Sequence, residues 1–459
     1  MVVYAHGNST LKTEFYDAFS PIRRGLSMFS TRDRDEHARK RKIVSHVFSQ
    51  QNVLAFESHI RRHVIEFCAQ WDERCMLAAK GQVGANWDAR DGRAWFDCLP
   101  QYNYLAFDII GHLAFGSPFG MITAQRDSAP MLEYVEGRSA GSAERIIKHV
   151  PAIKILNDRG DYAASLGVMP SWWHLWIKWV PWYARGDAAV RCLAGLAVAA
   201  VTKRLEEGLP DKGADEDWGF ASKKKKTDLL ERLSQAKDEN GAPMGKEELA
   251  GEALSQLVAG SDSTSNSACA ITYYLAANPE KQRKLQAELD EYLLAIAMSS
   301  PAIPFEKVKA LPYLNACINE GLRLHATSST GLPRVVPPGT VLEVCGEIFG
   351  PGSVLSVPSF TVHRDRAVWG EDVEVFRPER WFEVGTNVQV GVAAGSRAKA
   401  FNPFSYGPRA CIGRSLAAME LQIIISSAFA RYEFELLQTD EPFSAPHFLK
   451  REKDFYEGR

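Results

Sequence analysis

Phe404-Ser405-Tyr406-Gly407-Pro408-Arg409-Ala410-Cys411-Ile412-Gly413 is the stretch that decides how the rest of the chain is read. It sets a cysteine, two glycines, an arginine and an aromatic at fixed offsets. Each type has a task around a thiolate that faces a metal. The sulfur anion needs backbone N–H groups aimed at it, because an unsolvated anion is costly. Gly407 and Gly413 let the backbone bend closely around it. Phe404 shields the sulfur from water, and Arg409 offers a cation to an anionic cofactor group. A helix is expected from Ser415 to about Phe429, so its N-terminal dipole would face the anion and lower the thiol pKa.

The other seven cysteines are Cys68, Cys75, Cys98, Cys192, Cys269, Cys317 and Cys345. None forms a Cys-x-x-Cys pair, which argues against a zinc ribbon or a thioredoxin-like centre. Their scatter suits a reducing compartment and small buried hydrophobes. The chain has 459 residues and a formal charge of −2. No basic excess asks for nucleic acid, so no DNA or RNA partner is expected. No stretch approaches twenty uninterrupted apolar residues, so the sequence shows no transmembrane segment of its own.

Upstream, the first half reads as helices. The basic segment Asp35 to Phe48 is followed by Asn52 to Trp71 and by an apolar run, Cys98 to Ala114, expected to be buried. Met169 to Tyr183 holds five tryptophans and Lys178. Such density suits peripheral contact of residues 169–183 with a membrane–water interface, or an aromatic core helix; the sequence leaves both open. Pro210 to Lys226, ending in four lysines, reads as a solvated loop. Lys246 to Asn278 is one long helical pattern of ~50 Å, stopped by Asn278-Pro279. Helices are expected over Glu280 to Ala297 and Leu314 to Leu324, then short strands at Val341–Val344 and Val354–Val357. The fold class is therefore mainly α with a small β-sheet, in a single domain over 1–459. His59 and His63 have metal-ligand spacing, yet no Glu stands beside His59 in zinc-protease order and no third ligand is evident. A solvated basic helix face is the better reading.

The Phe404–Gly413 segment resembles the haem-binding signature of the cytochrome P-450 family at every defining position. The resemblance runs from about residue 4 to 440. It implies a cytochrome P-450 fold and a haem-thiolate monooxygenase with haem b as cofactor and Cys411 as the metal ligand. Phe404, Arg409, Arg334, His37 and Arg41 would be further cofactor-binding residues, the last four toward the propionates. His37 and Arg41 lie one helical turn apart, and His37 stands where the family often has tryptophan. Glu320, Arg323 and Arg380 would form a buried charged cluster with a structural role. Ala259-Gly260-Ser261-Asp262-Ser263-Thr264 resembles the oxygen-activation motif, where a small pair opens the long helix. Asp262, Ser263 and Thr264 are the catalytic candidates for moving protons to oxygen. Ser263 replaces the usual threonine and lacks the methyl that restricts its rotamer.

Within the family the chain is most similar to the fungal benzoate para-hydroxylase group. The carrying segments are Phe29 to His46, Tyr104 to Gly111, Thr327 to Arg334 and Phe401 to Gly413. That implies para-hydroxylation of benzoate to 4-hydroxybenzoate, with Thr327, Ser328, Ser329, Thr330, Arg23 and Arg24 as candidate carboxylate donors. Alternatives are oxidation of another aromatic or secondary metabolite, a haem-thiolate isomerase, and a truncated, inactive haem-binding protein. Too few residues follow Cys411 for a flavin or nicotinamide domain, so an external NADPH–cytochrome reductase is the expected partner. The resemblance implies the cytoplasmic face of the endoplasmic reticulum membrane. Members normally open with a membrane helix, a proline-rich hinge and the first strands of the sheet. The chain is expected to lack these, leaving Val354–Val357 as an unpaired sheet edge.

Overall fold

A computed structural model of the chain describes residues 2–5, 7, 10–20, 26–136, 143–177, 179–207, 229–238, 241–294, 300–383, 388–393, 395–437 and 455–458. Arg23, Arg24, Lys178 and the whole of the 210–226 loop with its lysine run lie outside those residues. The fold is mainly helical with small sheets. Two compact units result: residues 1–11, 60–106 and 262–459 form one, and residues 12–59 and 107–261 the other.

The first unit is organised by helices buried on nearly every face. In Pro312–Leu324, proline occupies the first turn, where its missing N–H costs nothing, and every residue from Tyr313 to Leu324 is buried. Arg414–Phe429 is likewise buried from Met419 to Phe429. Trp71 anchors an aromatic cluster with Phe67, Phe96, Tyr102, Tyr432 and Phe434 at centroid distances of 4.3–5.8 Å. Rings at such separations bury large apolar area and add edge-to-face attraction. Arg334–Val335 is the central strand of a three-stranded sheet, flanked by the short strand that starts at Leu11 and by Val354–Leu355. Val354–Leu355 is therefore paired on one side, with Arg334–Val335, and stands last in the order.

In the second unit, Arg34–Val47 is capped by Asp33, whose carboxylate accepts the Glu36 N–H at 2.8 Å. Arg39 and Lys40 both reach Glu248, and Arg39 also pairs with Glu36 at 2.9 Å. Asp108 accepts the N–H groups of Gly120, Met121 and Ile122 at 2.8–3.1 Å, satisfying the orphan donors of a short helix.

Several expectations need correction. The Asn52–Trp71 pattern is broken: Gln50–Leu54 and Glu57–Ala78 are separate helices. The first half is not all helix. It holds the strand pairs Trp87–Arg90 with Arg93–Asp97 and Ala129–Glu136 with Ala143–Val150. The tryptophan segment is no core helix. It folds as a 3-10 turn, Ser171–Trp173, and one helical turn, His174–Ile177. Trp172, Trp173, Trp176, Trp179 and Trp182 are all exposed, from 40 % to 78 %. Ile177 and Tyr183 turn inward instead, onto Leu166. No helix among the described residues is long and apolar enough to cross a membrane.

Candidate haem-thiolate site

Cys411 stands between a 3-10 turn, Gly407–Arg409, and the helix Arg414–Phe429, whose N-cap is Gly413. The loop is closed by its own backbone. The Cys411 N–H donates to the Phe404 carbonyl at 2.9 Å, and the Ser405 N–H to the Asn402 carbonyl at 2.9 Å. Gly407 has φ +79°, and a Cβ there would fall 1.8 Å from the Tyr4 carbonyl oxygen. Glycine is required on both counts. Phe404 packs on Gly391, where a Cβ would meet its ring at 2.6 Å.

Cys411 is exposed, whereas Cys68, Cys98 and Cys317 are buried. Burial pushes the Cys68 thiol up to about 12 and the Cys317 thiol well above its usual range. Those are inert packing groups. Cys345 is exposed too, but it sits in a hairpin turn at φ +54° with no helix start behind it. An accessible sulfur at a helix N-terminus, glycines that admit close approach and a nearby arginine fit an anionic metal ligand.

Behind the loop lies the charged cluster, fully buried. Glu320 binds Arg323 through two bonds of 2.8 and 3.0 Å and Arg380 at 2.8 Å. It also accepts the Trp381 indole N–H at 3.1 Å and the Arg377 backbone N–H at 3.0 Å. Arg323 extends to the carbonyls of His363 and Val373, and Arg380 to that of Trp369. Every lone pair and proton has a partner, which a buried ion cluster needs.

Arg334 is buried in its strand and stacks over the Tyr4 ring at 5.2 Å. The Tyr4 hydroxyl donates to the Leu332 carbonyl at 2.8 Å and accepts the N–H groups of Leu332 and Val357. Tyr4 thus holds Arg334's strand and bounds Gly407. Nothing in the sequence singled it out. The same unit carries Phe404, Arg409, Cys411, Asp262, Ser263 and Thr264. His37, buried, and Arg41, half-buried, lie in the other unit on Arg34–Val47.

The long helix is Lys246–Ala276 and runs unbroken through Ala259–Thr264, so the expected opening is not seen. Side chains instead crowd its carbonyls. Ser267 donates to the Ser263 carbonyl at 2.7 Å, and Asn266 and Ser265 to that of Asp262 at 2.7 and 3.2 Å. Such back-bonding weakens a helix locally without breaking it. Gly260 is needed for packing, since a Cβ would meet Ile110 at 2.7 Å. Asp262 and Ser263 are half-buried; Thr264 is buried and donates to Glu420 at 2.9 Å. Burial pushes the Glu420 carboxyl up to about 8, against the lowering effect of the Thr264 hydroxyl. Glu420 escaped the sequence reading because its partner is far away in the chain.

His59 and His63 are buried, not on a solvated face, and each has its own partner: His59 pairs with His112 at 3.1 Å and His63 with Glu66 at 3.0 Å. Among the described residues no group of three or more His, Cys, Asp or Glu could hold a metal ion.

The family described as Cytochrome P450 matches residues 8–456. Benzoate 4-monooxygenase of Aspergillus niger is 41% identical over 452 residues, covering 98% of this chain and 80% of that protein. A cytochrome P450 monooxygenase of Aspergillus flavus is 23% identical, covering 99% and 80%. Pisatin demethylase of Fusarium vanettenii is 26% identical, covering 96% and 74%. The chain belongs to the cytochrome P450 family, the haem-thiolate monooxygenases.

Proposed function

We propose that this monooxygenase hydroxylates benzoate at the para position, with residues 1–459 acting as one haem b domain and Cys411 as the residue that would hold its iron. Benzoate, O2, NADPH and a proton give 4-hydroxybenzoate, NADP+ and water. Electrons arrive from NADPH through a separate reductase. The observation that carries the substrate is the gap between 41% identity to a benzoate 4-monooxygenase and 23–27% to relatives of other description.

Haem held through the Cys411 thiolate would supply oxygen activation. The chain's own residues do the rest. The loop backbone fixes Cys411. Arg409 and Arg334 supply cations for carboxylate groups of the cofactor. Asp262 and Ser263, both half-buried, pass protons between solvent and the oxygen side. Thr327 and Ser329 are half-buried hydroxyls in the segment before Arg334 and are our candidates for the benzoate carboxylate; Ser328 and Thr330 are exposed.

Titrating the haem-loaded protein with benzoate tests the reading. A spin-state shift and 4-hydroxybenzoate as product are expected; a shift with other aromatics only would overturn the substrate. In Cys411→Ala the carbon monoxide difference band typical of thiolate ligation should vanish.

The exposed indoles favour a second statement about location: residues 169–183 rest on the cytoplasmic face of the endoplasmic reticulum membrane. Tryptophan is enriched where one side of a ring is apolar and the other wet. Trp172, Trp176 and Trp179 replaced together by Ala should abolish flotation with phospholipid vesicles; equal flotation would remove the claim.

A further inference from the structure

His363 is 0 % exposed, and both ring nitrogens are committed. Nδ1 donates to the Arg323 carbonyl at 3.1 Å, and Nε2 accepts the Asn402 backbone N–H at 3.1 Å. The Arg323 guanidinium returns a 2.9 Å bond to the His363 carbonyl. The ring packs against Phe401 at 5.5 Å and Trp369 at 6.3 Å. Asn402 is where the thiolate loop is pinned: its carbonyl takes the Ser405 N–H, and the Phe404 carbonyl takes that of Cys411. One imidazole therefore spans from the charged cluster to the base of the Cys411 loop.

We propose that His363 is a positioning residue that locks the Cys411 loop to the Glu320–Arg323–Arg380 cluster, and that it does so only while its imidazole is neutral. Accepting a backbone N–H needs a lone pair on Nε2, and a proton there removes it. Asn402 offers the protonated ring an alternative, because its buried side-chain Oδ1 has no hydrogen-bond partner among the described residues. Protonation would trade the bond that fixes the loop backbone for one to a side chain. The neutral form is well protected. Burial, helped by the cations of Arg323 and Arg364, pushes the imidazole down to about 4, against the Arg323 carbonyl and the Asn402 side chain. Arg397, over the Trp369 ring at 5.7 Å, is a further nearby cation.

This inference rests on Cys411 as the thiolate that would hold the haem. The test compares parent, His363→Gln and His363→Phe, each haem-loaded, by the reduced carbon monoxide spectrum from neutral to acid pH. Gln keeps an acceptor and does not titrate; Phe keeps an apolar ring and loses the acceptor. Acid loss of the thiolate band should move to lower pH in Gln, and Phe should show at least a two-fold weaker band at neutral pH for equal haem. Thermal unfolding of the haem-free chain gives a second readout, with the acid fall in Tm shallower in Gln than in the parent. Superimposable profiles for parent and Gln would overturn the proposal, and if Phe fails to fold the Gln arm decides alone. Cys411→Ala separates the two claims. A thiolate band surviving in it refutes the ligand, whereas its loss beside an unshifted Gln profile refutes only His363.

Discussion

Two carboxyl groups in the same unit, Glu320 and Glu420, are almost equally buried and could hardly be used more differently. Glu320 receives five hydrogen bonds, three of them from arginine guanidinium groups. Glu420 meets one hydroxyl, from Thr264, and its carboxyl is raised to about 8. The first is an ion built into a frame; the second is an acid kept neutral by its surroundings. Burial alone does not decide what a carboxyl does. The supply of donors around it does.

The sharpest way to break the contrast is Glu320→Ala. It strands Arg323 and Arg380 as buried cations and should destabilise the chain by about 3–5 kcal/mol. A urea midpoint close to the parent's would show that the frame does not depend on that ion. Next comes Glu420→Gln. Because the folded carboxyl sits near 8, the folded chain keeps a proton that the unfolded chain releases above its ordinary value of 4.5. Its contribution is full below 4.5 and is lost as pH rises through about 8. Glutamine escapes that loss, so the variant should gain on the order of 3 kcal/mol over the parent between acid and neutral pH. A difference between the two that stays constant with pH would mean Glu420 is ionised in the fold. Smallest is Thr264→Val, which removes one buried hydrogen bond at a cost of about 1 kcal/mol. Since the Thr264 hydroxyl lowers the Glu420 carboxyl, the variant should move that titration upward. Infrared difference spectra of the protonated carboxyl would follow it.

The same pair shows what a single sequence reveals. Glu320 was legible because Arg323 lies one helical turn away and Arg380 follows in a recognisable segment. Cys411 was legible because its loop is local: the bonds that close it join residues within ten positions of each other. Glu420 and His363 were not, since their partners lie 156 and about 40 residues away and leave no periodic trace. Local signals were also overlooked. Asp91-Gly92, at φ +50° and +75°, is a two-residue hairpin turn of the kind Asp-Gly favours, and it joins the strands Trp87–Arg90 and Arg93–Asp97. The tryptophan segment was ambiguous on composition alone. A dense run of indoles reads the same whether it faces a core or a solvent boundary, and only its folding back on Ile177 and Tyr183 separates the two.

Tyr4 has a practical consequence for anyone making this protein. Its hydroxyl staples two strands, its ring supports Arg334, and its carbonyl closes over Gly407. Replacing Tyr4 by Leu, or cutting the chain between Tyr4 and Leu11, would disturb the Cys411 loop from a point about four hundred residues away in the primary structure.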